Sequence, residues 1–295
     1  MPRAYRTATL IVLLLPQLLH AQSVPKATAP TAAKPAATAT VKTSSNYASA
    51  GQTALPNALA LSVGGGLLQL RDEALLPVIH SGAGTAIGAE YRRNHRRNLH
   101  RVELQAQIYS TSSRVDEGSQ YIGLGMHYRY LRLLTDLGEY NDKHIKPASL
   151  WLGARLGGGP TIQSYPQIDE AHAYWNTQYQ LNPIAMIYWQ AKPRLAWINE
   201  LELPLLGAVS RPAANRTYFN DIPYFTETMA LAHTDMRVRF AHQAGSLRLT
   251  TALEYPLHRR VLQRVGYQLA YDYARTNAQF QALNHSLHWQ TAWSF

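Results

Sequence analysis

Beyond residue 55 the chain alternates between apolar and polar side chains over long stretches. In the segment 101–108 the even positions are Val, Leu, Ala and Ile, while the odd positions are Arg, Glu and two Gln. Successive side chains of a β-strand point to opposite faces, so this period of two predicts a strand with one apolar and one polar side. The same sorting recurs in 121–129 and between 236 and 255. The pattern therefore predicts a sheet whose two faces meet different surroundings.

Eleven strands follow from this alternation and from the polar or Gly-rich segments between them. Their predicted ranges are 57–70, 81–93, 99–112, 119–134, 148–160, 175–190, 194–206, 234–243, 246–256, 264–275 and 283–295. A single-chain bacterial barrel normally has an even number of strands, so a further strand is expected within 165–182 or 207–232. The predicted fold class is all-β, a transmembrane antiparallel β-barrel of about twelve strands, with ten as the alternative.

The lengths of the connections predict which rim each one occupies. Short turns are expected at 94–98, 191–193 and 242–245 on one rim, and longer connections at 71–80, 160–174 and 207–232 on the other. The connection 135–147 is longer than the other turns of its rim. Membrane barrels combine short periplasmic turns with longer outer loops, which predicts that both termini lie on the periplasmic side.

Aromatic residues decide between a lipid-facing barrel and a soluble sandwich, because both show alternating strands. In a membrane barrel the polar face lines a lumen, and aromatic residues collect at both ends of the apolar band. Seven tyrosines are predicted at strand ends on the apolar face: Tyr91, Tyr109, Tyr128, Tyr130, Tyr255, Tyr271 and Tyr273. This distribution favours contact with lipid.

The first fifty residues differ in composition from the rest. Residues 1–22 have the pattern of a signal peptide, with Arg3 and Arg6 before an apolar run and Ala21 as a small residue for cleavage. Residues 23–54 are rich in Ala, Thr, Pro and Lys without an apolar period, which predicts a disordered linker in the periplasm, either a spacer or a peptidoglycan-binding tail. Residues 55–295 form the predicted barrel.

Charge and cysteine content narrow the possible partners. The formal net charge of the 295 residues is +10, and the basic residues accompany no recognisable nucleic-acid-binding module. Contact with anionic lipid or phosphate-bearing glycolipid is favoured instead, so outer-membrane lipid and lipopolysaccharide are the predicted partners, with no nucleic acid. The absence of Cys excludes disulfides, thiolate metal sites and a Cys nucleophile. Oligomeric state is left open.

The last strand has the sequence LHWQTAWSF, with apolar or aromatic residues on alternate positions up to Phe295. It resembles the terminal strand by which outer-membrane barrels are recognised by the barrel-assembly machinery, and Trp289, Trp293 and Phe295 are the predicted assembly signal. The region 58–295 also resembles uncharacterised outer-membrane β-barrel families of the Bacteroidota through the segment SVGGGLLQLRDEALLPVIHSGAGTAIGAEY. The resemblance implies a place in the Gram-negative cell outer membrane and a fold, and it implies no activity.

Charged residues on the polar face are the candidate functional residues. The residues assigned to the lumen are Glu90, Arg92, Arg101, Glu103, Arg129, Arg155, Glu200, Glu202, Arg237, Arg239, Arg248, Glu254 and Asp272. They could form an eyelet that selects a polar or anionic solute, or a set of Arg–carboxylate pairs that fills the lumen. Inward glycines at 84, 88, 123, 125, 153 and 157 suggest remaining space. The predicted function is a small pore or a structural, scaffold barrel with a charged lumen.

An outer-membrane hydrolase or acyltransferase that modifies lipid or lipopolysaccharide is the alternative function. The candidate groups are His80 with Ser81, His172 with Asp169 and Glu170, and His233 with Asp235. None has a third group at a diagnostic spacing, so no catalytic residue is assigned and an enzyme is disfavoured. His285 and His288, three positions apart on a strand, point to opposite faces. No metal site and no cofactor are predicted.

Overall fold

A computed structural model describes the barrel region of the chain. The described residues are 57–73, 76–95, 97–114, 118–137, 148–165, 169–192, 194–211, 230, 232–276 and 278–295. The predicted signal peptide 1–22 and linker 23–54 lie outside the described residues. Within the described ranges, no helical segment has the length and hydropathy of a membrane-spanning helix.

Twelve strands account for most of the described chain. They are β1 (Asn57–Asp72), β2 (Leu76–His95), β3 (Asn98–Ser112), β4 (Gly118–Leu137), β5 (Ala148–Tyr165), β6 (Asp169–Lys192), β7 (Leu195–Glu202), β8 (Leu206–Ser210), β9 (Arg237–Phe240), β10 (Ala244–His258), β11 (Val261–Arg275) and β12 (Gln279–Ser294). Ten of them form a closed ring in the order β5-β4-β3-β2-β1-β12-β11-β10-β7-β6, which a β5–β6 pairing closes. Strands β8 and β9 lie outside this ring. The predicted antiparallel barrel is confirmed, with twelve strands in total and ten in the ring.

Strands β7 and β8 lie in one line along β6. Ile184 of β6 pairs with Glu202 of β7, and Leu181 pairs with Leu206 of β8. Opposite them, β9 pairs with β8 and β10 pairs with β7, so β9 and β10 run in the same direction. Pro204, which has no backbone N–H to donate, lies between β7 and β8 and interrupts the ladder.

Three predicted connections differ from the structure, and the collinear strands explain the first of them. The predicted rim turn at 242–245 is wrong, because residues 241–243 join two collinear strands within the wall rather than a hairpin. Residues 241–243 do form a turn, but it lies between two strands that run in the same direction. The predicted long connections at 71–80 and 160–174 are also wrong, since β1 extends to Asp72 and β2 begins at Leu76. Likewise, β5 extends to Tyr165 and β6 begins at Asp169. The expected additional strand in 207–232 corresponds to β8, whose bounds are Leu206–Ser210.

The two rims are defined by the strand ends. The near rim contains Asn57, His95, Lys192, His258 and Ser294, and the far rim contains the strand ends Asp72, Ser112, Tyr165, Ser210 and Arg275. The longest stretch of sequence between two strands whose adjoining ends lie at the far rim is 211–236, between β8 and β9. Both ends of the barrel region, Asn57 and Phe295, lie at the near rim, where the Phe295 N–H donates to the Asn57 carbonyl.

In this barrel the apolar side chains face outward and the charged side chains face inward, which is the reverse of a soluble protein. Leu104, Ile87 and Met126, in the middle of their strands, are 53%, 61% and 61% exposed on the outer face. Glu200 and Arg155 on the inner face are buried. Hydrocarbon is the surrounding that stabilises an apolar exterior around a charged interior, so the fold is that of a transmembrane barrel.

Six of the seven tyrosines predicted for the outer girdle follow this sorting, and one does not. Tyr91 and Tyr128 are exposed on the outer face, as the girdle prediction requires. Tyr109 was assigned to the same face by its place at a strand end, but it is buried and points into the lumen. Its position is odd on β3, where the odd positions face inward, so the alternation itself identifies the correct face.

Candidate functional site

Ion pairs cross the lumen nearer to the near rim than to the far rim. Arg92 of β2 lies with its Nε 3.0 Å from Glu90 Oε1 on the same strand and its Nη1 3.4 Å from Glu254 Oε2 on β10. Between β2 and β10 the ring passes through β1, β12 and β11. The Arg92–Glu254 pair therefore joins two sides of the barrel through its interior.

A second group of pairs is centred on Arg129 of β4. Its guanidinium contacts Glu200 of β7, Glu103 Oε2 at 3.1 Å and Glu202 Oε1 at 3.4 Å. Two further arginines complete the group: Arg101 Nη1 lies 3.7 Å from Glu200 Oε2, and Arg155 Nη1 lies 2.8 Å from Glu202 Oε2. Each of the two buried β7 carboxylates thus meets two guanidinium groups.

These residues and Arg264 form what we call the charge layer, whose members are Glu90, Arg92, Arg101, Glu103, Arg129, Arg155, Arg264, Glu200, Glu202 and Glu254. Arg264 of β11 is buried beside Glu90 and Arg101, where all three line one small cavity. With five Arg and five Glu, the layer has a formal charge of zero. Buried charges are costly unless they are paired, and the balance of signs meets that requirement. Sequence reasoning omitted Arg264, although its alternation with Gly266 and Gln268 places it on the inner face.

Four predicted lumen residues lie outside the charge layer. Arg248 and Asp272 line a cavity farther toward the far rim. Arg237 and Arg239 lie on β9, outside the closed ring, and Arg237 is exposed. Within the described chain neither β9 arginine pairs with a carboxylate. Arg237 pairs with Val209 and Arg239 with Gly207 of β8, and both partners are buried, so the two arginines lie on the predicted face of β9, close to the far rim.

Apolar side chains pack inside the lumen on both sides of the charge layer. Toward the near rim, buried residues from six neighbouring ring strands pack together, among them Leu131, Trp151 and Ile198. A smaller group on β1, β11 and β12 lies at the same end, and includes Ala60 and Leu262. Toward the far rim another buried cluster contains Tyr109, Tyr121, Leu68, Leu70 and Phe280. The described lumen is therefore filled in layers along its axis.

Among the described residues, two small cavities lie within these layers. The first has a volume of about 90 Å³ and is bordered by amide, hydroxyl and charged side chains between the charge layer and the far cluster. The second, of about 70 Å³, lies within the charge layer. Ala86, Gln105, Gln268 and Ser286 line both. The shared lining makes them neighbouring parts of one polar space, which we call the far chamber and the near chamber.

The inward glycines leave less space than their number suggests. A Cβ atom on Gly84 would lie 2.4 Å from the Tyr109 ring, and one on Gly123 would lie 2.6 Å from the Gln107 amide nitrogen. A Cβ on Gly88 would meet the Ser62 hydroxyl oxygen at 2.6 Å. Neighbouring side chains thus occupy the room that these glycines provide. Gly123, Gly125 and Gly157 nevertheless line the far chamber, so some space remains beside them.

The candidate catalytic groups do not assemble into a site in the described chain. His80 is buried on the inner side of β2, whereas its neighbour Ser81 is exposed on the outer side, so the two point away from each other. His233 lies on the surface, with its Nε2 2.8 Å from the Tyr179 hydroxyl. Asp169, Glu170 and His172 belong to β6, but their side chains are not among the described ones. Among the described residues, no group of three or more potential ligands could hold a metal ion.

The predicted assembly residues lie on the outer face of β12. Trp289, Trp293 and Phe295 are 53%, 42% and 74% exposed. The Phe295 ring stacks on Tyr91 of β2, with 6.5 Å between the ring centroids. Trp293 pairs with Leu59 of β1 and Val261 of β11. This strand end therefore joins the first and last strands of the ring at the near rim.

Comparison with known proteins gives similarity of fold only. No protein-family model and no curated protein matches this chain. The outer membrane protease OmpT from Escherichia coli aligns with 8% identity and a TM-score of 0.46, over 82% of this chain and 98% of that one. The translocator domain of the autotransporter NalP from Neisseria meningitidis aligns with 10% identity and a TM-score of 0.36, over 81% and 88%. An outer membrane channel from Pseudomonas putida F1 aligns with 9% identity and a TM-score of 0.35, over 83% and 98%. Likeness at this level leaves location and activity to be argued from the chain's own residues.

Proposed function

We propose that this protein is a structural barrel of a Gram-negative outer membrane whose lumen is closed to ions, rather than an open pore or an enzyme. The observation that carries the proposal is the charge layer, in which pairs such as Arg92–Glu254 and Arg101–Glu200 join different sides of the ring. An open eyelet would keep opposite charges on separate walls with water between them. Here the charges meet in the middle of the lumen.

Two further features support closure. The apolar layer toward the near rim contains Trp151 and Leu131, which are 1% and 0% exposed, so water has little access to that end of the lumen. Ten strands make a narrow barrel, and side chains fill most of such an interior. Outer-membrane lipid and lipopolysaccharide are the proposed surroundings, because the exterior is apolar and the predicted signal peptide would export the chain. The assignment to Bacteroidota families stays a prediction.

Ion conductance tests the closed lumen directly. The refolded protein in a planar lipid bilayer should give no steady conductance, because the charge layer and the near-rim apolar layer block the path. Replacing Arg129, Glu200 and Trp151 together with Ser removes one charge of each sign and one large apolar side chain, and should produce ion steps.

The control variant replaces Arg71, Glu73 and Trp197 with Ser, the same three residue types outside the lumen, and should stay silent. Folding of each variant is checked by heat-modifiable mobility in gels. Ohmic steps from the wild-type protein would contradict the proposal.

Assembly into the membrane should depend on the last residues of β12. Deleting Trp293 to Phe295 removes the pairs that Trp293 makes with Leu59 and Val261, so the chain should be exported but should not reach the folded form. The measurement is signal-peptide cleavage together with heat-modifiable mobility in outer-membrane fractions. Thr291→Val, on the same face two residues earlier, keeps the strand and should assemble normally. A truncated chain that still folds in the membrane would argue against the assembly signal.

A further inference from the structure

The far chamber has a lining that is rich in amide groups. Asn176, Gln178, Gln180 and Asn182 follow one another on the inner face of β6. Their side chains form a chain of hydrogen bonds: Asn182 Nδ2 donates to Gln180 Oε1 at 3.2 Å, Gln180 Nε2 to Gln178 Oε1 at 2.6 Å, and Gln178 Nε2 to Asn176 Oδ1 at 3.2 Å. Each amide has two N–H donors and an oxygen with two lone pairs, so Gln178 keeps capacity for both a donated and an accepted bond.

Charged and aromatic groups face the same space from other strands. The Arg248 Nε donates to Ser246 Oγ at 3.0 Å, and within the described chain the Arg248 guanidinium forms no ion pair. Asp272, on the neighbouring strand β11, also lines the chamber without an ion pair among the described residues. The Tyr109 and Tyr121 rings meet edge to face at its far end, 6.1 Å apart. Planar polar groups and aromatic rings thus surround one cavity.

The size of the chamber limits what it can hold. A cavity needs roughly 10–15 Å³ to hold a water molecule, so the far chamber of about 90 Å³ has room for roughly six to nine waters. Six waters fill about 180 Å³ of liquid, the space of a small polyol or a monosaccharide. Hydroxyl groups both donate and accept hydrogen bonds, as amides do, and a guanidinium or carboxylate can bind two neighbouring hydroxyls at once.

An ion pair covers this chamber at the far rim. Arg211 follows β8, and its Nη2 lies 2.5 Å from Asp72 Oδ1 at the end of β1, while its Nη1 donates to the Ala278 carbonyl at 2.8 Å. The Arg211 Cζ lies 5.4 Å from the centre of the Phe280 ring, and Phe280 lines the far chamber. The Arg211–Asp72 pair therefore spans the mouth of the barrel directly above the chamber.

We propose that the far chamber binds one small polyhydroxylated solute, of the size of a monosaccharide, and that the Arg211–Asp72 pair is the gate through which this solute passes. The charge layer forms the floor of the chamber and prevents passage to the near rim. The inference rests on the closed lumen proposed above. The closed lumen and the binding chamber can be disproved independently, because conductance tests the first and equilibrium binding tests the second.

The experiment is equilibrium dialysis of the refolded full chain against radiolabelled D-glucose, in micelles of a detergent that contains no sugar. One site per barrel is expected in the wild-type protein. Arg248→Met and Gln178→Leu should each weaken binding by about ten-fold or more, because each removes hydrogen bonds to the solute. The matched controls Arg237→Met and Gln69→Leu, on β9 and on the outer face of β1, should leave affinity unchanged.

The gate is tested by the rate of uptake. Asp72→Asn removes the charge that holds Arg211, so D-glucose should bind and leave faster while the affinity stays within about two-fold, since the chamber itself is unchanged. Arg248→Met keeps the test valid if Gln178→Leu fails to fold, because Arg248 has no ion pair to lose in the described chain. Absence of binding by both the wild type and Asp72→Asn would overturn the proposal. Equal losses in the lumen variants and in their controls would overturn it as well.

Discussion

Replacing Glu200 with Ala should lower the free energy of unfolding by about 3–5 kcal/mol, the largest stability loss that we expect from a single lumen substitution. Glu200 is 1% exposed and faces both Arg129 and Arg101. Without its carboxylate the two guanidinium groups remain buried beside each other with one counter-charge fewer. The measurement is a urea titration of the folded fraction in lipid vesicles, read from heat-modifiable mobility.

Glu73→Ala is the matched control for this experiment. Glu73 also pairs with an arginine, Arg71, at 3.1 Å, but the two side chains are 35% and 45% exposed. An exposed pair contributes about 1 kcal/mol or less, because water screens it. If both variants unfold at the same urea concentration, the charge layer contributes no more to stability than a surface pair, and the argument for a closed lumen loses its energetic basis.

A charge placed on the outer face in the middle of the wall should cost about 2–4 kcal/mol. Leu104 lies near the centre of β3 and is 53% exposed on that face. Leu104→Arg would put a guanidinium against hydrocarbon, where it finds neither water nor a counter-charge. The expected result is a shift of the refolding titration to lower urea concentration, with reduced yield of folded barrel in vesicles.

Leu59→Arg is the matched control, because it makes the same Leu-to-Arg change at the near rim instead of the middle of the wall. Leu59 is exposed to a similar degree, 47%, but it lies beside Tyr91 and Trp293 at the near rim. The cost of a basic residue falls to about 0–1 kcal/mol near the membrane surface, where its side chain reaches water. Equal costs at the two positions would contradict the assignment of the outer face to hydrocarbon.

The alternation of apolar and polar residues was sufficient to predict which face of most strands points inward. The alternation in 101–108 assigns Glu103 to the lumen and Leu104 to the outside without any knowledge of the fold, since neighbouring side chains on a strand always diverge. The face of Tyr109 was predicted wrongly because its aromatic character was given more weight than the alternation. Tyr109 was placed outside because it is aromatic and ends a strand, although its odd position on β3 points it inward.

Strand continuity was harder to predict than strand faces. The segment 241–243 has the composition of a hairpin turn, yet β9 and β10 continue in one direction through it. Whether such a segment reverses the chain depends on the strands beside it, here β7 and β8 with Pro204 between them. The error left the faces unchanged, because Arg237 and Arg239 alternate with Val238 and Phe240, which are exposed on the outer face.

The sequence by itself determined the class of fold and the set of side chains that face inward, because period-two alternation is a property of each strand alone. Only the tertiary structure decided which charges meet. Arg92 and Glu254 come together because β2 and β10 face each other across a ring closed by the β5–β6 pairing, and Arg211 reaches Asp72 in the same way at the far rim. Closure of the ring and the register of every pairing within it fix these distances. Neither is encoded in any single segment, so the chamber and its gate could not be found from the sequence.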